Sequence, residues 1–273
     1  LRDGAQAQGI SYSIEDKLKI VQLLDQLGVS YIEAGNPGSN PKDMEFFVRV
    51  AALELKNAKI IAFGSTRKVN VKVEDDDNLL SLLKAGVAAI CVFGKSWDYQ
   101  VSHILSTSLT ENLSMIGDTV AFLKRHHKEV VFDAEHFFDG YQSNPDYALQ
   151  TLQAATDAGA DHVCLCDTNG GTFPAEIYAI TKLVASRIKV PVGIHCHNDG
   201  GMAVANSVMA VQAGATQVQG TINGIGERCG NANLCAILPN LQLKLGFDCI
   251  PVEGMERLAS VARIVSEIAN ISL

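Results

Sequence analysis

The sequence has few basic side chains, no long apolar run and no paired cysteines. It contains 22 Lys and Arg residues against 30 Asp and Glu residues, which gives a formal net charge of −8. A chain with this balance and no basic cluster lacks the charge pattern of proteins that bind nucleic acid or anionic membranes. No stretch approaches the roughly 18 consecutive apolar residues that a membrane span needs. We therefore expect neither nucleic acid nor a membrane as a partner.

The seven cysteines are an odd number and include no Cys-x-x-Cys pair. Most lie inside apolar, strand-like runs such as HVCLCD (162–167). This placement is typical of reduced, buried thiols and argues against a disulfide framework or a zinc–thiolate site. The opening LRDGAQAQGIS (1–11) also lacks the pattern of a signal peptide. A cytoplasmic protein is the expectation.

The composition is that of a folded protein with a large core. Hydrophobic residues make up 47% of the chain and charged residues 19%, unlike disordered sequences. A length of 273 residues suits a single α/β barrel, which typically needs roughly 250 residues. No proline-rich, glycine/serine-rich or low-complexity linker interrupts the chain. We expect one catalytic barrel domain over residues 1–273.

Seven short apolar runs alternate with helix-period segments. The runs are SYIEAG, KIIAFGS, AAICVFG, VVFDAEH, HVCLCDT, VPVGIHCH and TQVQGTI. The helix-period segments are 14–27, 41–56, 75–85, 108–127, 145–158, 174–187, 201–213 and 232–244. Strict alternation predicts an α/β fold with parallel strands. An open doubly wound sheet is the competing fold, but neither GxGxxG nor a P-loop motif is present.

The alternation therefore favours an eight-stranded (β/α)8 TIM barrel, of which seven strands are visible. The first four residues, LRDG, have the polar character of a strand tip and precede a helix start at Ser13. We expect most of the first strand to be missing from this chain. Side chains at the C-terminal ends of barrel strands face the active site, so the residues at those ends carry the functional prediction.

The penultimate run ends in GIHCHND (193–199), which contains two histidines two residues apart. His195 and His197 share one face because side chains alternate along a strand. Such a pair can chelate a divalent metal, and a carboxylate would complete a two-histidine, one-carboxylate set. Asp3 is the best candidate carboxylate, since the first strand of a closed barrel neighbours the last. A satisfied core histidine is the alternative, which suits one isolated histidine better than a pair.

Other strand ends carry polar residues that suit a small anionic substrate. Arg2 could hold a carbonyl or carboxylate, with Glu33 orienting its guanidinium, although a turn with a surface arginine is the alternative. Glu135 could take part in proton transfer or form a structural salt bridge. Thr168 offers a hydroxyl, or it caps a helix. The glycine-rich loop 223–233 could approach an anion closely or simply connect strand to helix.

Together these motifs resemble one family. LRDGAQ, IEAGNPGSNPKD, DTNGG, HCHNDGGMAVANS and NGIGERCGNANL occur in the same order as in the metal-dependent barrel enzymes that include 2-isopropylmalate synthase, homocitrate synthase, citramalate synthase and hydroxymethylglutaryl-CoA lyase. The resemblance spans nearly the whole chain, and HxHND followed by NGxGERxGN is highly specific. The segments IEAGNPGSNPKDMEFF, KSWD (95–98) and QVQGTINGIGERCGNANLCAILPNLQLKLG look most like the citramalate synthase branch.

The resemblance implies a metal site made from both ends of the chain. Asp3, His195 and His197 match the ligands of a divalent metal, which could be Mg, Mn or Zn. Asn231 matches the asparagine that completes or supports this site. A metal dependence is therefore implied for the reaction.

The resemblance also implies roles around the substrates. Arg2 matches the residue that polarises the keto oxygen, and Glu33 matches the residue that positions it. Thr168 matches a residue that binds the carboxylate of the 2-oxo acid, and Glu135 a carboxylate near the acetyl methyl group. His103 lies in a region that lines the pocket in relatives and is a further substrate-binding candidate.

The activity implied is that of an acyltransferase in branched-chain amino acid biosynthesis. It would condense acetyl-CoA with a small 2-oxo acid, with pyruvate expected and citramalate as product, by aldol-type addition and thioester hydrolysis. The same residues would serve a 2-isopropylmalate or homocitrate synthase. Relatives continue into a lid and often a regulatory domain, which we expect to be absent from this chain, and a homodimer is expected from the family.

Two readings from other reaction classes stay open. One is a carbon–carbon lyase like hydroxymethylglutaryl-CoA lyase, whose loop cysteine would correspond to Cys229. The other is metal-dependent hydrolysis, because barrel amidohydrolases also use His-x-His. In those enzymes the motif lies on the first strand, whereas here it lies on the penultimate one.

Overall fold

Seven parallel strands form a single sheet in the computed structural model, which describes residues 1–272. The strand order along the sheet follows the order along the chain, as expected for repeated strand–helix units. The strands are β1 (Tyr31–Gly35), β2 (Lys59–Ser65), β3 (Ala89–Lys95), β4 (Glu129–Glu135), β5 (His162–Asp167), β6 (Val192–Cys196) and β7 (Gln217–Gln219).

Eleven α-helices within residues 1–272 connect or follow these strands. They are α1 (Ile14–Leu27), α2 (Pro41–Val50), α3 (Asp77–Lys84), α4 (Asp98–His103), α5 (Leu109–Arg125), α6 (Phe137–Ser143), α7 (Pro145–Asp157), α8 (Pro174–Arg187), α9 (Ala203–Gln212), α10 (Leu234–Pro239) and α11 (Val252–Ala269). Single 3-10 turns span Gly4–Gln6, Val73–Asp75 and Ile222–Gly224, and a π-helical turn spans Asn240–Lys244. No helix in this described part of the chain has both the length and the apolar character to cross a membrane.

The two faces of the sheet bury separate apolar clusters. The larger cluster fills the space between the strands and the helices. The smaller one lies on the other face and is built around Ile61, Ala89, Cys91 and Val131. Residues of β2, β3 and β4 therefore alternate between a helix-packed side and an inner side, as in a barrel wall.

The two edge strands, β1 and β7, flank the place where a first barrel strand would lie. The chain start runs beside β1, since the Arg2 N–H donates to the Glu33 carbonyl at 3.0 Å. An apolar cavity of about 580 Å3 lies between the edges, and Ile32 and Val218 are among its lining residues. The prediction of a TIM-barrel-type α/β fold is confirmed. The apolar cavity between β1 and β7 is consistent with the prediction that the first strand is largely missing.

Most predicted helices form near their expected bounds, but α2 was predicted over 41–56 and ends at Val50. The cause is Asp25, near the end of α1, whose side chain is buried. Its carboxylate accepts hydrogen bonds from the backbone N–H groups of Lys56, Asn57 and Ala58 at 2.8–3.1 Å. These bonds hold the chain in a non-helical conformation that leads into β2. The short helices α4 and α6 were not predicted.

Replacing Asp25 with alanine is expected to lower the free energy of unfolding by about 2–4 kcal/mol, because partly buried amides lose their acceptor. Chemical unfolding followed by circular dichroism measures the change, with Glu54→Ala as a control on the same exposed connection. Burial raises the pKa of Asp25, but its backbone hydrogen bonds outweigh burial and lower that pKa. The wild-type advantage should therefore hold at neutral pH and shrink as pH falls below about 4. An advantage that grows on acidification would contradict this role.

Candidate metal and substrate site

A cavity of about 650 Å3 opens at the C-terminal ends of the strands. Its wall is formed by the chain start up to the beginning of α1, the segment after β1, residues of β2 to β6 near their ends and the loop after β7. The predicted site residues that line it are Arg2, Asp3, Glu135, Thr168, His195 and His197. The structure therefore brings residues from both ends of the chain to one place.

Asp3, His195 and His197 present one ligand atom each to a common point. The Nε2 atom of His195 lies 3.2 Å from Asp3 Oδ2 and 3.2 Å from His197 Nε2. All three ligand atoms lie within 4.8 Å of one another, and all three residues are buried. One carboxylate and two imidazoles are a donor set that binds divalent transition metals and leaves positions for substrate oxygens.

Asn231 adds a possible fourth donor. Its backbone forms an isolated antiparallel bridge with His197, which places the two residues side by side. Its Nδ2 donates to the Ile225 carbonyl at 3.3 Å, whereas its buried Oδ1 has no hydrogen-bond partner within residues 1–272. A buried acceptor without a donor is costly, and a cation would satisfy it. The residues present thus fit a divalent metal.

The pKa shifts of Asp3, His195 and His197 indicate that this cluster favours a positive charge. Burial lowers the pKa of His195, but the hydrogen bond and charge of Asp3 outweigh it and raise that pKa to about 10. Burial raises the pKa of Asp3, yet His195 and Arg2 hold it below its usual range. The pKa of His197 falls to about 4 through burial and the charge on His195. The Asp3 carboxylate therefore favours one positive charge within this cluster of three side chains.

Arg2 is held at the rim of this cluster by several contacts. Its Nε donates to Glu33 Oε1 at 2.5 Å and its Nη1 to Gln6 Oε1 at 2.7 Å. The guanidinium lies 3.8 Å above the Phe63 ring, and Nη2 lies 3.8 Å from Asp3 Oδ2. Burial lowers the pKa of Arg2, but the charge of Glu33 outweighs it and raises the pKa above its usual range. The guanidinium is therefore a fixed cation next to the candidate metal ligands.

Glu135 and Thr168 line the cavity from the ends of β4 and β5. The Glu135 carboxylate pairs with Lys95 Nζ across the β3–β4 register. The Thr168 Oγ1 accepts the backbone N–H of His136 at 2.9 Å, so its own proton is free to be donated to an acceptor. Lys95 was not among the sequence-predicted site residues, although its position at the end of β3 is a signal that could have identified it.

His103 is the predicted substrate residue that the structure does not bring to the cavity. It lies exposed at the end of α4, where its ring stacks on Tyr99 with centroids 4.3 Å apart. Its Nδ1 is 2.9 Å from the Tyr99 carbonyl oxygen. Within residues 1–272 the cavity lining does not include it.

Arg228 is a second residue that sequence reasoning did not single out. Its Nε and Nη2 donate to the two carboxylate oxygens of Asp199 at 2.8 and 2.9 Å. Its Nη2 also donates to the Thr168 carbonyl at 2.6 Å. One guanidinium thus ties together the loops that follow β5, β6 and β7. The bidentate geometry is one that lysine could not reproduce.

Known proteins are similar to this chain in sequence and in fold. Curated (R)-citramalate synthases are 45–60% identical over 99–100% of the chain. The one from Aquifex aeolicus is 60% identical over 100% of this chain and 52% of its own length. A probable 2-isopropylmalate synthase of Methanopyrus kandleri is 37% identical, over 99% of this chain and 52% of its own. The chain spans about half the length of these curated relatives.

Among solved structures, the hydroxymethylglutaryl-CoA lyase of Bacillus subtilis superposes with a TM-score of 0.81. It is 21% identical and covers 100% of this chain and 92% of its own, a likeness that concerns the fold. The HMGL-like family model matches residues 1–265. A match over nearly the whole sequence, together with the shared barrel, identifies the family: the chain belongs to the HMGL-like proteins.

Proposed function

We propose that the full-length protein condenses acetyl-CoA with pyruvate to give (R)-citramalate and free CoA, using a divalent cation held by this chain. The observation that carries the proposal is the convergence of Asp3, His195, His197 and Arg2 in one cavity at the strand ends. Relatives named (R)-citramalate synthase are the more similar ones, at 45–60% identity, which favours pyruvate over larger 2-oxo acids.

Asp3, His195 and His197 would hold the cation, with the Asn231 amide oxygen as a fourth ligand. The two imidazoles suit a transition metal such as Zn, whereas the carboxylate and amide oxygens suit Mg or Mn. When bound, the cation supplies Lewis acidity that polarises a ketone and neutralises the charge of a neighbouring carboxylate. The burial of all four side chains excludes water from this part of the cavity and strengthens each electrostatic contact.

Arg2 would stabilise the negative charge that develops on the keto oxygen of pyruvate as the new carbon–carbon bond forms. The ion pair with Glu33 and the contact with Phe63 hold the guanidinium in place before the substrate arrives. Preorganised donors of this kind lower a barrier because they need no reorientation during the reaction. Glu33 is therefore assigned the role of positioning Arg2.

Thr168 and Glu135, at the ends of β5 and β4, would serve the two substrates. The Thr168 hydroxyl has its proton available for the carboxylate of the 2-oxo acid, because its oxygen already accepts the His136 N–H. Glu135 is assigned a proton-transfer role beside the acetyl methyl group, with Lys95 holding its carboxylate. In the full reaction, the acetyl methyl group loses one proton, its carbon adds to the ketone and the resulting alkoxide takes up a proton. Water then hydrolyses the thioester and releases CoA.

The test is a comparison of 2-oxo acids with the full-length protein. Thiol release from acetyl-CoA is followed with pyruvate, 2-oxoisovalerate or 2-oxoglutarate as the second substrate. We expect kcat/KM for pyruvate to exceed the others by about tenfold or more, the scale on which an apolar pocket discriminates small side chains. A preference for 2-oxoisovalerate would instead assign a 2-isopropylmalate synthase.

Cys229 separates the synthase from the lyase alternative. It is exposed in the loop after β7, next to Arg228. Replacing it with serine is expected to change synthase activity by less than about twofold, since an exposed side chain away from special contacts contributes little. Thiol-release kinetics of Cys229→Ser against wild type measure this. A loss of activity of a hundredfold would favour chemistry in which the thiol takes part.

A further inference from the structure

A chain of hydrogen-bonded polar groups runs behind His195 into the interior of the barrel; in it Gln219 is half-buried and Asp133 is buried. His195 Nδ1 lies 2.8 Å from Gln219 Oε1. Gln219 Nε2 donates to Asp133 Oδ1 at 2.9 Å. Gln219 comes from the edge strand β7 and Asp133 from the central strand β4, three strands away, so the contact crosses the interior of the curled sheet. Neither residue was predicted from the sequence, and neither has a role in the proposed reaction.

The chemistry of the groups fixes the direction of both hydrogen bonds. An ionised carboxylate can only accept, so Asp133 requires the NH2 group of Gln219. The amide oxygen of Gln219 then faces His195 Nδ1, and an oxygen there can only accept. His195 must therefore carry a proton on Nδ1. In the neutral ring this leaves the lone pair on Nε2, the atom that faces Asp3 and His197.

Burial makes the position of Asp133 energetically unfavourable for a carboxylate. It is 4% exposed, and within residues 1–272 it forms no salt bridge. Burial, followed by the charge of Glu33, raises its pKa to about 6. Besides Gln219 it contacts the thiol of Cys91. A buried carboxylate paired only with neutral groups lowers stability, which points to a purpose other than folding.

We propose that Gln219, oriented by Asp133, is a positioning residue that locks His195 in the Nδ1–H tautomer and so presents Nε2 to the cation. The inference rests on the proposed metal site and adds to it a support that lies outside the ligand set. Partners of this kind fix ring orientation and raise the basicity of the ligand nitrogen. Asp133 acts one step further away, by setting which end of the Gln219 amide faces the ring.

Three variants separate positioning from a general structural effect. Gln219→Met keeps the length of the side chain but removes both hydrogen bonds. The double variant Gln219→Glu, Asp133→Asn exchanges acid and amide, so that residue 219 still accepts from His195 and residue 133 now donates. The matched control is Gln217→Met, two residues earlier on the same face of β7, where the amide oxygen has no partner within residues 1–272.

The first readout is the affinity for Zn2+ alone, measured by calorimetry on each full-length protein. Gln219→Met is expected to weaken binding by about 10- to 100-fold, the usual cost of losing such a partner. The exchanged double variant is expected to bind within about fivefold of wild type, and Gln217→Met to bind as wild type does. Equal affinity of Gln219→Met and wild type would overturn the proposal.

The second readout needs no variant. In the Zn2+-loaded wild-type protein, 15N and 1H NMR of the histidine rings is expected to show His195 protonated at Nδ1, with slow exchange of that proton. Protonation at Nε2 would overturn the inference even if every variant failed to fold. A wild-type protein that binds no Zn2+ at all would instead reject the metal site, which separates the two failures.

Discussion

Replacing His197 with alanine is expected to abolish divalent-metal binding. The change leaves Asp3 and His195 as the two remaining proposed ligands of the three that converge, and it opens a space where a ring was buried. We expect the dissociation constant for Mn2+ to rise by more than about 100-fold. Losing only the hydrogen-bond partner of a metal ligand typically weakens binding by about 10- to 100-fold, and losing the ligand itself should cost more. Calorimetric titration of the full-length variant measures this.

His103→Ala is the matched control for this experiment. His103 lies exposed at the end of α4, away from the cavity, and its removal should leave Mn2+ binding unchanged. Circular dichroism verifies that both variants are folded. Binding by His197→Ala that equals wild type would show that the two histidines do not act together.

Replacing Arg2 with lysine is expected to lower kcat by about 100- to 1000-fold, the range seen when one preorganised donor to a developing oxyanion is removed. The Arg2 guanidinium contacts Glu33 and Gln6 at the same time and still has donors left for a substrate oxygen. A lysine ammonium is a point charge on a flexible stem and cannot reproduce this fork. Metal affinity should change far less than kcat, because Arg2 is not among the proposed ligands.

Thiol-release kinetics with pyruvate and acetyl-CoA measure the Arg2→Lys effect, with Mn2+ titration on the same sample. Arg49→Lys is the control, since Arg49 pairs with Glu15 on the surface and should tolerate the exchange. A kcat within about threefold of wild type for Arg2→Lys would show that Arg2 does not stabilise the transition state.

The sequence predicts the barrel and the candidate ligands because both depend on short-range regularities. Alternation of strand and helix patterns specifies a parallel sheet, and alternation along β6 places His195 and His197 on one face. The approach of Asp3 to these histidines follows from barrel closure, since the chain start runs beside β1 while β6 lies near the opposite edge. Fold topology alone was enough to bring them together.

What the sequence does not reveal depends on side chains that meet across the interior. The Asp133–Gln219 contact joins strands separated by 86 positions, and nothing in QVQG (217–220) marks Gln219 as special. The early end of α2 depends in the same way on Asp25, about 30 residues earlier in the chain. Local propensity cannot anticipate a buried carboxylate that captures backbone amides from another segment.

Anomalous X-ray diffraction from Mn2+-soaked crystals of the full-length protein tests most directly whether Asp3, His195 and His197 bind one divalent cation. A single strong peak is expected in the strand-end cavity, within about 2.0–2.3 Å of a carboxylate oxygen of Asp3 and one nitrogen of each histidine. A peak bound elsewhere, or a well-ordered cavity with no peak at saturating Mn2+, would contradict it.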